Sequence, residues 1–215
     1  AGVLPAGLNV QRDNREDTII QEDGAYLLEA ICAGGIGFHE ITNHVLSVTI
    51  SNNLSGNLIS DTRDALLPND WTPMRVLGLM TTPKMWPMGH PNYQQNSTNT
   101  VLAVVKAFTG SAIEQSGGQD DFAFRYLADI SVTPYKSPYT YIPPSGPTLG
   151  EELLNIGTIE AVNEFNRNVH LERNLWLVSV KIMWPLRGVA GGNVQVGGRE
   201  QTFSRVVAGK IEKAG

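Results

Sequence analysis

The first 33 residues constrain this chain more than any other part of it. Ala1 to Ala33 reads AGVLPAGLNVQRDNREDTIIQEDGAYLLEAICA. A short apolar patch, Gly2 to Leu8, gives way to a polar run from Asn9 to Asp17. Beyond it, Ile19, Ile20, Tyr26, Leu27, Leu28 and Ile31 recur at helical spacing. Gly34-Gly35 supplies a stop, since glycine reaches the left-handed conformation that closes helices. The pattern predicts one helix, kinked or started near Pro5 and Gly7. Unbroken from Pro5 to Ala33, it would be about 40 Å long. Only its second half has a stripe suited to lying on a sheet. A rod apolar at both ends and polar between them implies two different neighbours.

The 215 residues suffice for one large domain, and 34–215 read as a β-rich head that forms one domain with helix 1–33. Hydrophobic residues at 41% and charged residues at 17% describe a chain that folds rather than a disordered one. The net charge is −5 and no basic patch occurs, so nucleic acid is not expected as a partner. Cys32 stands alone, which rules out an internal disulfide and suggests a buried small hydrophobe at the helix end. No apolar run approaches the ~18–20 residues of a membrane helix. The abrupt start at Ala1, inside an apolar patch, suggests a processed or trimmed chain.

After Gly37, His44 to Ser51 alternates Leu46, Val48 and Ile50 with small polar residues, as in a half-buried strand or the end of a helix. Asn52 to Asp70 reads as polar turns. Trp71 to Pro91 reads as an irregular segment with one short strand, Arg75 to Met80. Thr100 to Thr109 is apolar on both faces and reads as a central strand. Gly110 to Asp121 reads as a hairpin-like loop. Phe122 to Val132 has the clearest alternation, with Phe122, Phe124, Tyr126, Ala128, Ile130 and Val132 facing inward. Thr133 to Gly150 is a proline-rich loop, and a short helix is possible within Leu149 to Arg167. Trp176, Val178, Val180, Ile182 and Trp184 mark the next strand, expected to stop at Pro185. Arg187 to Arg199 reads as a glycine-rich turn, and Gln201 to Ala208 as the last strand, antiparallel across it. The fold class is α+β: a long N-terminal helix packed on an antiparallel sheet of four or five strands.

Chemistry is sparse. His39, His44, His90 and His170 lack metal-site spacing, and no nucleophile elbow, P-loop or dinucleotide fingerprint occurs. No catalytic residue is assigned. Asp120 and Asp121 in an acidic turn are the one candidate calcium site, against the plainer reading of carboxylates that satisfy local backbone donors. No other cofactor is implied. Tyr135, Tyr139 and Tyr141, interleaved with prolines, form either a partner-binding loop or a packed one. Trp71 and Trp86 read as core packing.

Gly2-Val3-Leu4-Pro5-Ala6-Gly7-Leu8 resembles the exit from the apolar segment of type IV pilins and of type II secretion pseudopilins. Arg75 to Lys84, Phe124-Arg125-Tyr126, Leu175 to Pro185 and Arg199 to Val206 are similar to the heads of pilus-modification-like prepilins of Verrucomicrobia-type cassettes. The processing site, most of the apolar segment and the acidic residue of the mature N-terminus found in that family are not in this sequence. The resemblance implies a pilin-like fold and a non-enzymatic filament subunit, a minor pilin or pseudopilin. Its precursor would be anchored in the inner membrane through an N-terminal segment, then assembled with other pilin-like subunits in the periplasm or at the cell surface. Leu4, Pro5 and Leu8 would be filament contacts. Ile19, Ile20, Leu27 and Ile31 would pack on the sheet through Phe124, Val178 and Val180, and Ser137 to Gly150 would meet partners. A viral or phage capsid or tail protein is the alternative, and a carbohydrate-binding module using Trp71, Trp86 and the tyrosine loop is the second alternative.

Overall fold

The computed structural model describes residues 3–34, 37–62, 70–86, 91–108, 124–135, 171, 174–188 and 194–209; in the N-terminal helix, side chains are described from Val10 onward, Arg12 excepted. Helix α1 runs Val3–Cys32, followed by α2 (Ile41–His44), β1 (Val45–Asn52), β2 (Gly56–Thr62), α3 (Pro73–Met80), β3 (Asn99–Lys106), β4 (Arg125–Pro134), β5 (Leu175–Gly188) and β6 (Val194–Ala208). The strands form one six-stranded antiparallel sheet in the order β2-β1-β3-β4-β5-β6. With a long helix packed on it, the architecture is α+β.

By contact density the chain divides into residues 1–132 with 178–205, and residues 133–177 with 206–215. In the second unit, the Tyr135 amide donates to the Leu175 carbonyl and the Gly209 amide to the Asn174 carbonyl, both at 2.9 Å. Trp176 is buried there.

Helix α1 is continuous over 30 residues. Pro5 does not break it: the described helix runs on through it from Val3 to Cys32. It closes as glycine dictates: Gly34 takes φ +64° and its amide reaches back to the Ile31 carbonyl at 3.3 Å.

The sheet buries one face of each inner strand. Val48 and Ile50 of β1, Val101, Ala103 and Val105 of β3, Tyr126, Ala128, Ile130 and Val132 of β4, and Val178, Val180, Ile182 and Trp184 of β5 are all buried. The register sets Ala103 opposite both Val48 and Ala128. The other face carries Thr49, Asp129, Ser131, Ser179 and Lys181, each half-buried.

Four expectations need correction. Arg75 to Met80 is helix α3, not a strand. The Thr72 hydroxyl accepts the Arg75 amide at 3.2 Å as an N-cap, Pro73 opens the first turn, and Val76, Leu77 and Met80 share a buried helical face. Within the polar stretch 52–70, residues Gly56–Thr62 form strand β2. Asn52 builds the turn before it, its Oδ1 accepting the Leu54 and Ser55 amides at 2.9 and 3.2 Å, and pairing with β1 does the rest. Pro185 does not end β5, which continues to Gly188. The glycine-rich turn is shorter than expected, because β6 begins at Val194. The expected loops at 110–121 and 136–150, the possible helix at 149–167, and Phe122 lie outside the described residues.

Gly197 explains why the sheet tolerates Pro185. A Cβ at Gly197 would stand 2.4 Å from Pro185 Cδ and 2.5 Å from the Trp184 carbonyl oxygen. Only a residue without a side chain lets β6 run past the proline. At Gly198 a Cβ would meet nothing within 4 Å. Gly197→Ala therefore destabilises the fold by about 1–3 kcal/mol, as overpacking against backbone does. Gly198→Ala changes stability by less than ~0.5 kcal/mol. Chemical denaturation of the two variants checks the contrast.

Candidate functional site

The feature with functional potential is the seam between α1 and the sheet. Along α1, Ile19, Ile20, Asp23, Gly24, Leu27, Leu28, Ala30 and Ile31 are buried. Steps of three and four place them on one helical face. Between Val10 and Thr18 no described side chain is buried, and Val10 stands 57% exposed. The helix thus changes character at Ile19.

Contacts with β6 fix its direction. Arg199 reaches Asp13, Glu16 and Asp17; the Phe203 ring lies against Gly24; and Arg205 pairs with Glu29. Helix and strand therefore run the same way. From Asp17 to Glu29 the helix rises about 18 Å, and from Arg199 to Arg205 the strand rises about 20 Å. The two rises match, so successive turns of α1 meet successive residues on the helix-facing side of β6. At Gly24 the helix backbone comes close to β6: a Cβ there would lie 2.1 Å from the Phe203 ring.

A buried acid locks the helix in register. Asp23 is fully buried, and its Oδ2 accepts the Phe108 amide at 2.9 Å, just past the end of β3. The Tyr126 hydroxyl of β4 is enclosed beside it with no acceptor at strict hydrogen-bonding geometry. Burial pushes the Tyr126 phenol well above its usual 10.0, and the charge and side-chain interaction of Asp23 push it further the same way. Around this pair, Tyr26 meets Phe38 edge-on at 5.0 Å and Phe108 at 4.5 Å, while His44 stacks on Phe108 at 4.4 Å and its Nδ1 donates to the Ala107 carbonyl at 3.0 Å. Burial raises the Tyr26 phenol, and Glu40 raises it further.

The residues named from sequence are placed as follows. Ile19, Ile20, Leu27 and Ile31 are buried on α1, and Val178 and Val180 are buried on β5. Phe124 is half-buried, its ring 6.4 Å from that of Tyr126. Leu4, Pro5 and Leu8 belong to α1, but their side chains lie outside the description. Asp120, Asp121, Tyr139 and Tyr141 lie outside it too, and Tyr135 is half-buried after β4. Trp71 is buried, its indole N–H donating to the Thr42 carbonyl at 3.2 Å, whereas Trp86 is half-buried. Cys32 is half-buried rather than enclosed. Burial raises its thiol, Glu29 adds to that, and Arg205 opposes it. A thiol held in its neutral form is a poor nucleophile. Among the described residues no group of three or more His, Cys, Asp or Glu side chains could hold a metal ion.

Sequence reasoning missed Asp23, Gly24, Arg199 and Phe203. Asp23-Gly24 inside an apolar-spaced helical segment was the available signal, since neither residue favours a helix interior. Arg199 fell inside a stretch read as a turn. No family model, curated protein or solved structure matches the chain.

Two outcomes follow from the seam. Leu27→Asp puts an unpaired charge at a fully buried position and unfolds the head, which circular dichroism melting reads directly. Tyr126 binds its proton more tightly folded than unfolded, so above pH 10.0 the unfolded chain loses a proton the native chain keeps, and stability falls as pH rises. Tyr126→Phe flattens that alkaline decline, measured as the denaturation midpoint between pH 8 and pH 11 set against the wild type; Tyr26 leaves a smaller residual slope.

Proposed function

We propose that this protein is a non-enzymatic structural subunit, a minor pilin or pseudopilin, of a type IV pilus-like or type II secretion-like filament. One observation carries the reading: a single unbroken helix is docked on its own sheet from Ile19 onward and exposes Val10, Gln11, Asn14 and Arg15 ahead of it. A helix that served only its own core would have no use for that forward half.

In this reading the forward half belongs to other copies. Leu4, Pro5 and Leu8 form the last layer of a helical bundle at the filament centre, and an apolar segment continues α1 upstream of Ala1. No described helix is long and apolar enough to cross a membrane. The anchoring of the precursor in the inner membrane therefore falls to that upstream segment. Assembly then moves it from lipid to the bundle, with the head left in the periplasm or at the cell surface. The docked half keeps the head rigidly oriented on its spine, since each buried apolar side chain contributes about 1.5–3 kcal/mol.

The test is the full gene product in its host. The sequence upstream of Ala1 should hold a basic leader, a cleavage site and an apolar run. In a Cys32→Ser background, Leu8→Cys should cross-link neighbouring subunits into a ladder under mild oxidation. Leu8→Asp should abolish the ladder of the wild-type assembly, seen by amine cross-linking, while the melting temperature of the purified head stays within about 2 °C. A gene start without an apolar run, or Leu8→Cys chains that remain monomeric, overturns the proposal.

A further inference from the structure

We propose that Asn96 is an N-glycan acceptor, its side-chain amide carrying a sugar at the end of the sheet where the β1–β2 turn meets the segment before β3. Nothing in this depends on the filament reading.

The sequence holds two triplets of the form Asn-x-Ser/Thr with no proline between, Asn53-Leu54-Ser55 and Asn96-Ser97-Thr98. That pattern is the acceptor signature for sugar transfer to an asparagine amide. Far apart in the chain, the two triplets are side by side in the fold. The Asn53 backbone amide donates to the Thr98 carbonyl at 3.1 Å. Asn53 Nδ2 donates to the Asn96 carbonyl at 2.9 Å, and its Oδ1 accepts the Thr98 amide at 2.7 Å. The Ser55 hydroxyl is tied as well, donating to Asn52 Oδ1 at 3.3 Å. The Asn53 carboxamide is therefore spent at both ends on the main chain of the other triplet. A sugar on its nitrogen would force bulk between two segments held at hydrogen-bonding distance.

Asn96 is arranged the other way. Its backbone supplies a carbonyl to that clasp, while the residue itself is exposed at the end of a run, 91–96, that is exposed throughout. Its φ is +61°, a conformation asparagine adopts more readily than most residues, in a turn closed by the Ser97 amide on the Gln94 carbonyl at 3.1 Å. Ser97 is buried, and its hydroxyl accepts Asn52 Nδ2 at 2.6 Å, so the turn is anchored from beneath. A sugar on Asn96 Nδ2 leaves every one of these bonds in place. Leu54 of one loop and Tyr93 of the other are 59% and 38% exposed, and a glycan is a hydrated cover for that end of the sheet. The transfer balances with a sugar donor whose anomeric carbon bears a phosphate ester, lipid-linked or nucleotide-linked. Asn96 Nδ2 bonds to that carbon and gives up one proton, the anomeric C–O bond breaks, and the phosphate leaves with the electron pair.

Mass spectrometry of the full chain purified from its host tests this. Trypsin places the two triplets on different peptides, 16–63 and 85–106. Peptide 85–106 should carry added sugar mass, localised to Asn96 by fragmentation, and peptide 16–63 should not. Thr98→Ala should abolish the addition with Asn96 still present, and Thr98→Ser should keep it. Asn96→Gln should leave the melting temperature of the unmodified protein within about 2 °C. Addition to chain retained in the cytoplasm identifies the nucleotide-linked donor, and addition confined to exported chain the lipid-linked one. An unmodified peptide 85–106 in the wild-type chain overturns the proposal whether or not the variants fold. Sugar on Asn53 instead, or addition that survives Thr98→Ala, overturns it as well.

Discussion

The structure depends on one close approach: α1 lies against β6 with no side chain between Gly24 and the Phe203 ring. A surface helix usually stands off a sheet by the length of its apolar side chains. Here one turn is brought in, which sets the depth of the helix over the sheet, and Ile20, Leu27 and Ile31 then fill the space on either side of that contact. Depth alone would let the helix slide along its axis. Asp23 prevents this, because its carboxylate is buried and must meet the Phe108 amide. A slip of one turn would leave a buried charge and an orphaned amide, at a cost comparable to a large part of the stability of an ordinary domain. Shape fixes the distance and a polar contact fixes the register.

The far end of the sheet is organised by a different means. Asn52, at the end of β1, donates to Ser97 Oγ at 2.6 Å and to Asn99 Oδ1 at 2.8 Å, and its own Oδ1 accepts the amides that turn the chain into β2. Asn99 donates to the Pro83 carbonyl at 2.9 Å, and Asn53 clasps Asn96 and Thr98. The Pro- and Met-rich connection is thereby held by side-chain amides standing in for a ladder. Asn52, Ser97 and Asn99 are buried, and each has a partner, which is the condition for burying polar groups without loss.

These two organising devices differ sharply in how well a sequence announces them. The helix, the central strand β3 and the alternating strands β4 and β5 were readable because period is a property of residues in order: Val101, Ala103 and Val105 stay on one face whatever else the chain does. Strand β2 was not readable, since GNLISDT has little period of its own and owes its conformation to pairing with β1. Helix α3 is announced by Thr72 and Pro73, which start it, and not by Arg75 to Met80 taken alone. The continuation of β5 beyond Pro185 depended on Gly197, a residue on the neighbouring strand that local reading could not connect. The same limit applies to the seam. Its apolar residues were visible, but Asp23 and Arg199 act through partners far away in the chain, and no spacing rule links position 199 to positions 13–17.

The two faces of the sheet bear on what the helix is able to do. Away from α1, cross-strand neighbours are small or charged: Thr49 with Ser60, Ser179 with Ser204, and Lys181 with Glu200 at 2.7 Å. Burial raises the Asp129 carboxyl, with Lys181 and Lys84 acting to lower it, so even a half-buried acid is tolerated on that face. Among the described residues, apolar burial is concentrated on the helix side, and the docked half of α1 completes it. Anything that drew Ile19 to Ile31 off the sheet would expose those apolar side chains and break the buried Asp23–Phe108 contact together, which amounts to unfolding. Between Val10 and Thr18 no described side chain is buried, and the Arg199 pairs with Asp13 and Asp17 stand partly in water. One helix therefore joins a half that belongs to the core to a preceding stretch, Val10 to Thr18, whose described side chains do not, and the boundary between them is set by burial.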